Sequence, residues 1–72
     1  SLTGLKEGQS GKVKALYTTG SMRRRLQDLG IVEGTTIECL QKSPSGDPIA
    51  YKIRGTVIAL RTEDANKIII TH

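Results

Sequence analysis

Residues 43–55 read SPSGDPIAYKIRG, a rigid corner followed by a strand pattern. Ser43-Pro44-Ser45-Gly46 carries the signature of a type I turn, with Ser at the first position, Pro at the second and Gly at the fourth. Asp47 precedes a proline, which pushes it to extended backbone. Pro48 lacks an N–H for the ladder, so it can stand only at a strand's first residue or on a sheet edge. The strand it opens alternates cleanly: Ile49, Tyr51 and Ile53 share one face, Ala50, Lys52 and Arg54 the other. Gly55 then permits a tight reversal into TVIALR (56–61). Corner, strand and reversal are the connecting hardware of a small antiparallel β fold.

The flanking sequence continues the theme. KVKALY (12–17) sets Val13, Ala15 and Tyr17 on one face against Lys12 and Lys14, as a half-buried strand does. TTIECLQK (35–42) is a second β-prone run, in which Cys39, in phase with Ile37, reads as a buried small hydrophobe. TVIALR is apolar on both faces, and a central strand is expected there. TEDANK (62–67) reads as a polar connection. IIITH (68–72) reads as a last buried strand, with His72 its frayed end. SMRRRLQDLG (21–30) is the helical exception. Ser21 is expected to cap it, Met22, Leu26 and Leu29 follow at helical spacing, and Gly30 ends it after roughly two turns. Five to six short strands, one short α-helix and a Gly or Pro at nearly every junction predict an all-β, SH3-like barrel, with residues 1–72 forming one domain.

Composition limits what such a barrel can do. Phe and Trp are absent, and Ile, Leu and Val supply 18 of 72 residues, so the core must be built from branched aliphatics. A chain this short buries only about 60% of its unfolded surface, which leaves no internal substrate cavity and puts function on the outside. The net charge of +4 favours an acidic partner. Cys39 is the sole cysteine, and no apolar run approaches the roughly 20 residues of a membrane helix, so the cytoplasm is expected. No Gly-rich phosphate loop or Ser/His/Asp spacing is present, and Glu63-Asp64 are neighbours in a turn, so no enzyme is expected. Cys39 and His72 each stand without a second ligand nearby. Asp47, Glu63 and Asp64 offer at most a weak divalent association, so no metal site and no resident cofactor are expected.

Arg23, Arg24 and Arg25 are the feature that folding alone does not explain. With Ser21 as the cap they fall in the first helical turn, at the positive end of the macrodipole, where each cation costs roughly 0.3–1 kcal/mol near an exposed end. Consecutive residues also fan around a helix, so the three cannot share one buried seam. A guanidinium fork pairs well with carboxylate or phosphate, which makes these arginines the candidate partner-binding residues, against the alternative of a solvated face. No nucleic-acid partner is expected, because single strands are held by stacking on aromatics and Tyr17 and Tyr51 make a poor platform. A small nucleic-acid-binding barrel is the alternative that the charge suggests.

The order of these signals resembles the ferrous iron transport protein A (FeoA) family. The resemblance lies in Leu26-x-x-Leu29-Gly30, Gly34, Ser43-Pro44-x-Gly46-Asp47-Pro48, Gly55, and Ala59-Leu60-Arg61 with Asp64-Ala65; SLTGLKEGQSGKV (1–13) is similar to the family's opening. It implies an SH3-like barrel and a cytoplasmic accessory role in bacterial ferrous iron uptake, with the cytosolic part of the membrane transporter FeoB as partner. The family is labelled with transition metal ion binding. A related module ends iron-dependent DtxR-type repressors, and a regulator module is a further alternative, but this chain shows no helix-turn-helix. Since the residues give no ligand set, the expectation is an adaptor that binds and regulates FeoB rather than an iron carrier.

Overall fold

The computed structural model describes residues 1–71, so His72 and its expected fraying lie outside the described residues. Among the described residues a 3-10 helix, Leu2–Gly4, precedes β1 (Ser10–Leu16), α1 (Gly20–Asp28), β2 (Thr36–Lys42), β3 (Ile49–Ile53), β4 (Thr56–Leu60), α2 (Thr62–Ala65) and β5 (Ile68–Thr71). The strands make one antiparallel sheet in the order β4-β3-β2-β1-β5. Register slips between Val13 and Ala15 on β1, and between Cys39 and Gln41 on β2. Such irregularities bend a strand and increase its twist, which lets a short sheet curl over its own core. The result is the all-β, SH3-like barrel that the sequence predicts.

The corner is a turn, as its residues require. The Gly46 N–H donates to the Ser43 carbonyl at 2.7 Å. The Ser43 hydroxyl donates to the Pro48 carbonyl at 2.6 Å, and the Ser45 hydroxyl to the Asp47 carbonyl at 3.0 Å. The Asp47-Pro48 peptide is cis, and Pro48 stands immediately ahead of β3. At the far end of β3, Arg54 (φ 51) and Gly55 (φ 79) form a two-residue reversal that pairs Ile53 with Thr56. Left-handed backbone at both positions matches the twist of a hairpin.

The inward face of β3 is the centre of the core. Ile49, Tyr51 and Ile53 are buried with Val13, Ile37, Cys39, Leu60 and Ile68, and Leu26 and Ile31 close one side. Tyr51 lies opposite Cys39 on β2 and Ile58 on β4. Cys39 is fully buried, as its phase with Ile37 implies. Burial pushes its thiol pKa up; Lys42 opposes that rise, while Glu7 and Glu38 add to it. The Tyr51 phenol, pushed up by burial and then by Cys39, reaches about 12.

Three expectations are corrected. TVIALR does not supply a central strand, because β4 is a sheet edge and Val57 is 61% exposed. Apolarity on both faces reflects an uncovered patch there, not two covered faces. Tyr17 does not share the core face of Val13: the register slip spends a residue, Leu16 packs on the core instead, and Tyr17 is 69% exposed. TEDANK is not only a connection, since Thr62–Ala65 form α2 and bury Ala65. Asp47 explains this, because its Oδ1 accepts the Thr62 N–H at 2.8 Å and so satisfies a free donor at the helix start. The first residues, for which the sequence makes no structural prediction, form a 3-10 turn that inserts Leu2, with Leu5 following it into the core.

Two outcomes follow. Gly55→Val should lower stability by more than about 1 kcal/mol, because a β-branched residue is strained at positive φ; urea denaturation measures it. Tyr51 remains protonated in both states below pH 10, so its contribution to stability is intact there. Between pH 10 and 12 only the unfolded chain ionises, and stability should fall by about 1.4 kcal/mol per pH unit. Tyr51→Phe should flatten that fall and, since the hydroxyl has no hydrogen-bond partner among the described residues, should cost less than about 1 kcal/mol at neutral pH.

Candidate functional site

The helix that carries the arginines starts earlier than its pattern suggests. Thr19, in extended backbone, is the N-cap rather than Ser21, and no side-chain cap bond forms. Gly20 is the first helical residue. Arg23 therefore stands at the end of the first turn, Arg24 beyond it, and Arg25 in the last turn, where the negative end of the dipole favours a cation. The dipole argument for Arg23, Arg24 and Arg25 is overturned by this shift. Their proposed role must rest on where their side chains stand.

Those positions differ. The Arg23 Nη1 donates to the Leu16 carbonyl at 2.8 Å in a part-buried contact, tying α1 to the end of β1. Arg24 and Arg25 are exposed. The end of the helix is fixed by Gly30 at φ 98: its N–H donates to the Gln27 carbonyl and the Ile31 N–H to the Leu26 carbonyl, each at 2.9 Å. This is the Schellman arrangement, and its usual apolar contact is supplied by Leu26 and Ile31, both fully buried. Leu29, expected on the buried face, is 36% exposed because it is the C-cap.

Leu29 borders a groove of about 540 Å³ between α1, β4 and α2. Met22, Leu26 and Leu29 form its helix side, and Ile58, Ala59 and Leu60 its strand side. Arg25 and Arg61 line it with Glu63 and Asp64. Arg54 lies against Gly30, the residue after Leu29, its Cδ 3.3 Å from where a Cβ on Gly30 would stand. Of the sequence-predicted partner-binding residues, only Arg25 reaches the groove. Arg61 and Arg54 were missed because each is a lone arginine in its own segment, and only the fold brings them toward Arg25.

The groove offers apolar surface and guanidinium groups, which is the chemistry of peptide recognition. Among the described residues no three His, Cys, Asp or Glu side chains stand together. Asp47, one of the carboxylates considered for a divalent ion, is engaged by the Thr62 N–H and hydroxyl at 2.8 and 3.2 Å.

Known proteins resemble this chain in sequence and in fold. The FeoA domain family matches residues 1–72. A Porphyromonas gingivalis Fe(2+) transport protein A/Fe(2+) transporter FeoB fusion protein is 36% identical over 67 residues, covering 93% of this chain. The chain spans only 8% of that relative's length. The solution structure of FeoA from Chlorobium tepidum superposes with a TM-score of 0.92 at 34% identity, over 97% of this chain and 67% of that one. Stenotrophomonas maltophilia FeoA, a prokaryotic SH3 domain protein complexed with zinc, superposes with a TM-score of 0.84 at 27% identity, over 96% and 86% of the two chains.

The distinct contacts of the arginines predict distinct mutational effects. Arg23→Ala should lower stability by about 1 kcal/mol through loss of its bond to a backbone carbonyl. Arg24→Ala should stay within about 0.5 kcal/mol of the parent. Thermal unfolding of the two variants side by side checks this.

Proposed function

The chain belongs to the FeoA domain family, and from that premise we propose that it docks on the cytosolic part of FeoB and regulates that transporter in ferrous iron uptake. The observation that carries this reading is the Porphyromonas gingivalis relative, in which FeoA and FeoB are one polypeptide. Covalent fusion holds two modules at high effective concentration, as suits modules that act on each other. No helix among the described residues is long and apolar enough to cross a membrane, so contact with the transporter falls to the surface of the barrel. Exposed Arg24 and Arg25, with Arg54 and Arg61 nearby, give that surface its attraction for an acidic face. A nucleic-acid reading has less support than composition alone gives it, because of the two tyrosines Tyr51 is buried and Tyr17 alone is exposed.

The reading needs no catalytic step and no resident ion in this chain. Anaerobic calorimetry with Fe²⁺ should show only weak, non-stoichiometric heats; a stoichiometric micromolar site would replace the adaptor with a carrier. The docking itself is tested by capture of purified FeoB on the immobilised chain. Capture should weaken as salt rises, and the Arg24→Glu/Arg25→Glu double variant should bind at least about tenfold less tightly while remaining folded. Unchanged capture by that variant would reduce both arginines to a solvated face. No capture of FeoB by the parent chain would overturn the reading.

A further inference from the structure

Strand β4 is an edge of the sheet, and its five residues, TVIAL, include no charge and no proline. Native edges are usually blunted by such residues or covered. The opposite edge, β5, lies against the N-terminal 3-10 helix, and Ile69 and Ile70 are half-buried. On β4, Val57 and Ala59 are exposed.

The register shows what this edge presents. A two-residue reversal makes Ile53 and Thr56 a hydrogen-bonded pair, and bonded and non-bonded pairs alternate along an antiparallel ladder. Tyr51–Ile58 and Ile49–Leu60 are then bonded, while Lys52–Val57 and Ala50–Ala59 are not. The N–H and C=O groups of Val57 and Ala59 therefore point away from β3, with no strand beyond to receive them. Beside them runs the groove whose far wall is Met22, Leu26 and Leu29.

We propose that β4 accepts an extended acidic segment of a partner protein as a sixth strand, its backbone paired with Val57 and Ala59, its apolar side chains in the groove. Such strand addition takes its affinity from main-chain bonds and its specificity from alternate side chains. Charge selects the occupant. Arg25 lines the groove from α1 and Arg54 lies against Gly30 beside that wall, while Arg61, Glu63 and Asp64 all belong to the α2 end. Carboxylates on the added strand meet the arginines, whereas a second copy of this chain brings the same three arginines and the same net charge of +4 to the edge. The inference deepens the docking reading above and rests on it for which protein supplies the segment.

The test uses the ¹⁵N-labelled full chain and the peptide acetyl-Glu-Val-Glu-Val-Glu-Val-amide. Saturable shifts and slowed hydrogen exchange at the Val57 and Ala59 amides are expected, with at least tenfold weaker binding by a version carrying Lys for Glu. Val57→Pro removes an outward N–H that the β3 ladder does not use, and should weaken binding at least tenfold. A peptide N-methylated at alternate residues should do the same on the unaltered chain, which keeps the test valid if the proline variant misfolds. Peptide binding without protection of Val57 and Ala59 would overturn the proposal, as would equal binding of the Lys version. Protection of those amides by concentration alone, without peptide, would assign the edge to a second copy instead. FeoB capture, measured in parallel, separates the two readings: capture with an unprotected edge sinks strand addition alone, and an edge that binds peptide without FeoB capture sinks only the partner's identity.

Discussion

The fold depends on where one aromatic ring goes. With no Phe or Trp in the chain, Tyr51 is the largest side chain that the core contains, and it is fully buried. Its neighbours across the sheet, Cys39 and Ile58, are smaller, so the ring fills space between them that branched aliphatics would fill less completely. Putting Tyr51 inward fixes the facing of all of β3, since a slip of one residue would turn the ring to solvent and bring Lys52 into the core. The register of β2 and β4 follows from that choice. Burying a phenol whose hydroxyl lacks a partner costs roughly 1–3 kcal/mol, and the area of the ring offsets it.

Both ends of β3 are built to hold that register. The Pro44–Pro48 corner closes on itself through Ser43 and Ser45, and reaches across to α2 through Asp47. The Arg54-Gly55 reversal pins the other end. This is why the strand pattern of residues 43–55 could be read directly from the sequence: alternation, turn residues and reversal are all local, and each agrees with the others. The corner's reach to Thr62 was not legible, because a side chain that caps a helix from 15 residues away leaves no local signal. The same limit applies to β4. Alternation tells which residues share a face but not how many strands lie beyond, so an apolar edge and an apolar centre look alike until the sheet order is known. Tyr17 was lost to a register slip, which no periodic template anticipates.

The arginines show how one misplaced boundary alters a functional argument. With the helix starting after Ser21, their charge opposes the dipole and calls for a reason outside folding. With Gly20 as the first residue, the opposition disappears and Arg23 has a folding role at the Leu16 carbonyl. What survives is geometric: Arg25 shares a groove with Arg61, and Arg54 comes near from the hairpin. The α1 helix and the two ends of β4 thus supply the basic side of one surface. That convergence is better ground for a docking site than the run of arginines, since a run is explained by a solvated helix face and a convergence around apolar surface is not.

The surface is also matched to the way such domains occur. Strand addition through Val57 and Ala59 offers only the N–H and C=O of two residues. A contact of that size binds weakly between free molecules, because association costs rigid-body freedom before any contact repays it. Fusion changes the arithmetic. On the proposed docking, joining the two modules in one polypeptide, as in the Porphyromonas gingivalis fusion protein, makes the encounter intramolecular; short flexible linkers give effective concentrations of about millimolar, enough to fill a weak site and still release it. Free-standing encounters must instead be helped by charge, which raises the association rate and is sensitive to salt. An uncharged edge beside a groove that holds Arg25 and Arg61, on a chain of net charge +4, supports both regimes: the backbone and groove define how the segment sits, and the positive charge governs how often it arrives.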